Sequence, residues 1–87
     1  MNAAELRDIL IPGLHDIVGK LPVTGLIFDL HVNGDTDDIV CHWRRGNWNG
    51  AFVAASAKEI ETGRYKEEFG PRCRDELMRA VRLETVR

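Results

Sequence analysis

The apolar residues of this chain change their spacing near residue 23 and change it back near residue 55, and that double switch leaves few folds open. Between those points the period is two. Leu26, Phe28, Leu30 and Val32 point one way, while Ile27, Asp29 and His31 point the other, the signature of a half-buried strand. A second strand over residues 39–44 sets Ile39, Cys41 and Trp43 against Val40, His42 and Arg44. A third over residues 47–54 sets Trp48, Gly50, Phe52 and Ala54 against Asn47, Asn49, Ala51 and Val53. The run Asn33-Gly34-Asp35-Thr36-Asp37-Asp38 is a turn by composition, and Arg45-Gly46 is expected to make a tight second connection.

On either side the spacing is helical. Leu6, Ile9, Leu10, Leu14, Ile17, Val18 and Leu21 recur at threes and fours, after an Asn2/Glu5 capping-box spacing. That predicts a helix over residues 3–20, kinked at Pro12 or broken there into two short helices, since a backbone hydrogen bond is lost; the stripe stays in phase across Pro12, which favours the kink. Ser56 with Glu59 is a second capping box, and the helix it starts is expected to be interrupted near Gly63 and again near Gly70-Pro71. Tyr65, Phe69, Cys73, Leu77, Ala80 and Val81 continue an apolar stripe. The predicted class is α+β, in the order α-β-β-β-α. A three-stranded antiparallel meander carries helices on one face only, within one domain over residues 1–87.

Pleat parity divides the sheet residues between two faces whatever the register. Leu26, Phe28, Leu30, Val32, Ile39, Cys41, Trp43, Trp48 and Phe52 share the face that helices must cover. Ile27, Asp29, His31, Val40, His42, Arg44 and Asn49, with Ala51 and Val53, share the other. That mixed surface is typical of a solvated or partner-facing sheet, and it is the candidate interaction face.

Each cluster with chemical potential has a plainer reading. Asp29 opposite His42 would be a carboxylate orienting an imidazole, the pairing of general-base catalysis. No Ser, Thr or Cys joins them on that face within the strands, and a flat sheet excludes no water. No catalytic residue is therefore assigned. His31, His42 and Asp29 would offer three N/O donors to zinc, yet solvated cross-strand pairing is the favoured reading, and neither metal nor cofactor is expected. His15 belongs to the first helix, apart from the others. Asp35, Asp37 and Asp38 lack the glycine placement and terminal Glu of a calcium loop. Trp43 and Trp48 would be a base-stacking platform only if they faced outward, and their parity places them inside. Arg72 and Arg79 have acids at helical spacing, Glu76 and Asp75, so the late arginines Arg72, Arg74, Arg79 and Arg82 read as a salt-bridged face.

Composition narrows the function classes. Net charge is -2, with seven acids and four bases in residues 1–55 and seven acids and eight bases in residues 56–87. Neither part is the dense cationic surface that phosphate neutralisation requires, so nucleic acid is a disfavoured partner. Two cysteines without CxxC or Cys/His ligand spacing are too few for a disulfide framework. With no targeting pattern at the start and no long apolar run, a soluble protein of the reducing cytoplasm, without a membrane partner, is expected.

The order helix, three antiparallel strands, helix resembles the double-stranded-RNA-binding domain. That family holds phosphates with a lysine cluster at the start of its last helix. The corresponding stretch here is Ser56-Ala57-Lys58-Glu59-Ile60-Glu61, one lysine among acids. The resemblance therefore implies topology and transfers no binding residue. The segments Gly25-Leu26-Ile27-Phe28-Asp29-Leu30-His31 and Glu59-Ile60-Glu61-Thr62-Gly63-Arg64-Tyr65 resemble those of short proteobacterial proteins of a Burkholderia type, whose function is unknown. The leading expectation is a non-enzymatic protein-interaction module that uses the open sheet face or a strand edge, with a protein partner or a second copy. A nucleic-acid-binding or regulatory domain is the alternative.

Overall fold

The structure, a computed structural model, describes residues 2–85. It contains α1 (Ala3–Gly19), β1 (Ile27–Val32), β2 (Ile39–Arg45), β3 (Trp48–Ala55), α2 (Ala57–Thr62) and α3 (Tyr65–Thr85). The strands form one antiparallel sheet in the order β1-β2-β3. α1 lies against β1 and α3, and α3 lies against β3, so the helices occupy one side. The α+β class and the element order are those predicted.

Local chemistry starts α1 and α2 where they begin. Asn2 is the N-cap of α1: its Oδ1 accepts from the Glu5 N–H at 2.8 Å, and its Nδ2 donates to Glu5 Oε1 at 3.1 Å. Ser56 and Glu59 form the reciprocal capping box of α2, and Gly63 ends that helix in the left-handed conformation (φ 81°), the interruption expected there. α1 runs unbroken through Pro12, which is exposed.

The expected break at residue 70 is absent, because α3 continues through Gly70-Pro71. A proline normally drives the preceding residue out of helical φ/ψ by colliding with its Cβ. Here that residue is a glycine, and the Pro71 ring faces solvent.

The face parity holds, but the β2–β3 register differs by two residues from that of an Arg45-Gly46 turn. The two-residue loop is Gly46-Asn47, and Arg45 pairs with Trp48 as the last rung. Gly46 takes positive φ (59°), as a tight hairpin needs at its first loop position. Arg45 is held in the strand because its Nε donates to the Thr24 carbonyl at 3.0 Å. A shift of two leaves every side chain on its own face.

Leu6, Leu14, Leu30, Ile39, Cys41, Ala54, Ala55, Phe69, Cys73 and Leu77 form the buried cluster. On α3 the spacing Phe69, Cys73, Leu77 is a strict i,i+4 row. The covered face is buried unevenly. Leu30, Ile39 and Cys41 are inside, whereas Trp43, Trp48, Phe28 and Phe52 are half-buried, because the helices cover the Ile39/Ala55 end more fully than the Gly46 hairpin. Trp43 lies across Gly50, its cross-strand partner, where a Cβ would come within 2.7 Å of the indole.

Candidate functional site: the open sheet face

The register places Asp29 opposite His42, His31 opposite Val40, and Ile27 opposite Arg44. On the other side of the central strand Val40 faces Val53, His42 faces Ala51, and Arg44 faces Asn49. All seven candidate residues, Ile27, Asp29, His31, Val40, His42, Arg44 and Asn49, therefore share one surface with Ala51 and Val53. Ile27 is 68% exposed and Val53 41% exposed, which makes them the large apolar side chains this face leaves in water. Over the hairpin end lies an open depression of about 730 Å³, with Asp29, His42, Arg44, Asn49 and Ala51 in its lining.

The cross-strand carboxylate–imidazole pair expected between Asp29 and His42 is in register, yet the imidazole turns elsewhere. Nε2 of His42 lies 3.1 Å from Nε2 of His31, with ring centroids 4.2 Å apart and planes inclined by 33°. Parity put both histidines on one face, but their contact is diagonal and depends on register, which parity does not carry. Among the described residues no group of three His, Cys, Asp or Glu could hold a metal ion. His15 is on the helix side of the sheet, with its ring edge-on to Phe28 at 4.8 Å.

The other expected clusters have structural roles. In the acidic loop the Asn33 side chain accepts from the Asp35 N–H, Asp37 takes positive φ (61°), and Asp38 Oδ1 accepts from the Ala57 N–H at 2.7 Å. Asp38 thereby satisfies one of the orphan donors of the first turn of α2.

Arg72 does not pair with Glu76. Its guanidinium binds Glu59 through two hydrogen bonds, at 2.6 and 2.7 Å, and donates to the Ala54 carbonyl at 3.2 Å. The sheet pairing passes from Val40–Val53 to Ile39–Ala55, so Ala54 is the extra residue of a bulge and its carbonyl is open to a side-chain donor. Helical spacing pointed to an intrahelical partner, but Glu59 in α2 is presented by its capping box and fits the fork better. Arg79 likewise pairs with Glu76, at 3.7 Å, rather than with Asp75.

Both cysteines are free and fully buried, and burial pushes each thiol up to about 12. They pack as small hydrophobes.

No protein-family model, curated protein or solved structure matches this chain. No helix among the described residues is long and apolar enough to cross a membrane.

Proposed function

We propose that this chain is a non-enzymatic protein-interaction module whose open sheet face receives a protein partner, either another protein or a second copy. One observation carries this reading. The face opposite the helices sets Ile27, at 68% exposure, and Val53, at 41%, around a polar row of Asp29, His31, His42, Arg44 and Asn49. Apolar groups ringed by hydrogen-bonding groups of both charges suit a modest protein interface. The depression at the hairpin end is open rather than enclosing, and such a surface suits a macromolecule better than a small substrate, which needs a site that buries most of it. β1 and β3 are the outer strands of the sheet, and an outer strand is where a partner strand can add.

The nucleic-acid alternative loses support at its cations. Arg72 is engaged by Glu59, and Arg44 is the single Lys or Arg among the candidate face residues, diagonal to Asp29 across β1 and β2. Phosphate binding needs several uncompensated cations on one surface.

The test is an Ile27→Asp/Val53→Asp double variant. Its solvent-facing positions leave the fold intact, so circular dichroism should match the parent. Capture of protein partners from a nuclease-treated lysate, or self-association by light scattering, should fall by about tenfold or more, equivalent to roughly 1.4 kcal/mol. Undiminished capture and self-association would remove the sheet face from the proposal. Binding abolished by nuclease in the parent would favour the alternative.

A further inference from the structure

His31 and His42 meet nitrogen to nitrogen. They are diagonal neighbours across β1 and β2, since His31 pairs with Val40 and His42 with Asp29, a separation aromatic side chains readily bridge. Their Nε2 atoms are 3.1 Å apart. Without a cation, such a contact requires one ring to donate its Nε2–H to the lone pair of the other. If both rings carry their proton on Nδ1 instead, two nitrogen lone pairs are left unsatisfied 3.1 Å apart. A Lewis acid is the group that satisfies both.

We infer that His31 and His42 form a two-imidazole site for a divalent transition-metal cation of the Zn²⁺, Ni²⁺ or Cu²⁺ class. A cation about 2.0–2.1 Å from each nitrogen would subtend roughly 100° between them. That angle lies between the right angle of square or octahedral coordination and the tetrahedral angle, and ions of this class accept both. Neutral imidazole suits these borderline cations, whereas Mg²⁺ and Ca²⁺ prefer oxygen donors. Proton balance is simple: the donating ring moves its proton from Nε2 to Nδ1 through solvent, and neutral rings release none.

The backbone holds the pair in place. Both residues sit in paired strands, and β2 is the central strand, so neither Cα needs to move. Among the described residues no third His, Cys, Asp or Glu completes the set. The remaining positions face outward, to water or to a donor from whatever covers the face. Cation binding is independent of whether a protein docks there. It departs from the expectation of no metal because of the 3.1 Å contact, which spacing along the chain does not reveal.

The test follows side-chain imidazole resonances of the untagged full chain by ¹H–¹⁵N correlation during titration with Zn²⁺ alone. His31 and His42 should shift together along one saturable single-site curve, while His15, edge-on to Phe28 on the other side of the sheet, stays in place. His31→Gln and His42→Gln should each weaken binding by about tenfold or more, His15→Gln should bind as the parent, and Mg²⁺ should move nothing. No shift of His31 or His42 by about 1 mM Zn²⁺, or shifts of equal size at His15, would overturn the inference, and both are read on the parent protein without any variant.

Discussion

Arg72 of α3 grips the carboxylate of Glu59 in α2 with both terminal guanidinium nitrogens, at 2.6 and 2.7 Å, and so ties the two final helices together at the β3 bulge. The pair is mostly sheltered, with the Glu59 side chain 17% exposed and that of Arg72 30%. Hydrogen bonding from Arg72, aided by the Ser56 backbone and hydroxyl, holds the Glu59 carboxyl down at about 2.

A carboxylate with a depressed native value stabilises the fold above its unfolded value and loses that contribution as pH falls towards its native one. Stability should therefore decline between about pH 4.5 and pH 2 as Glu59 takes up a proton. Glu59→Gln should cost about 1–3 kcal/mol at neutral pH. It should also flatten the acid dependence in that window. Urea unfolding of parent and variant from pH 2 to 7 measures both effects, and parallel profiles would show that Glu59 is not the titrating group.

Glycines at two positions should respond to alanine with opposite sign. At Gly50 a new Cβ would lie 2.7 Å from the Trp43 ring, so the indole must move and Gly50→Ala should destabilise by about 1–3 kcal/mol. Gly13 lies inside α1, and the space a methyl group would take there has no neighbour within 4 Å, so Gly13→Ala should stabilise by about 0.5–1 kcal/mol. Thermal unfolding of the two variants gives the signs directly.

What was readable along the chain is what depends on parity and capping. Alternation from Leu26 to Ala54 assigns each strand side chain to a face without knowledge of the turns, so the one-residue displacement of the hairpin loop, from Arg45-Gly46 to Gly46-Asn47, left the faces intact. The Ser56/Glu59 box marked a helix start because its chemistry is local. Contacts that join distant segments were out of reach. Glu59 and Arg72 are thirteen residues apart and meet across a helix corner, and the His31–His42 contact requires the β1–β2 register. Depth was equally hidden: parity sends Trp43 and Trp48 to the covered side, yet only the packing of α1 and α3 decides that both are half-buried.

The thiols should be silent until the chain opens. Cys41 and Cys73 are fully buried, and burial pushes both up to about 12, so at pH 8 neither the thiolate nor a path to it is available. A disulfide-exchange reagent should label neither cysteine at pH 8 on the timescale of minutes, and both in denaturant. Labelling in native buffer at the rate of a free thiol would place one of them at the surface.

The acidic loop carries the sharpest contrast between neighbours. Asp38 accepts from the Ala57 N–H at 2.7 Å, across nineteen residues, so its carboxylate fastens the β1–β2 connection to the start of α2. Asp38→Ala leaves that donor half-buried and without its acceptor, and should cost about 1–2 kcal/mol. Asp35 and Asp37 are exposed. Asp35→Ala should change stability by less than about 0.5 kcal/mol. At Asp37, with φ at 61°, glycine relieves left-handed strain but adds unfolded-state freedom, so Asp37→Gly should stay within about 1 kcal/mol of the parent. Urea midpoints of the three variants decide the matter, and equal losses at all three positions would mean that loop charge, rather than the Asp38 cap, sets the stability of this corner.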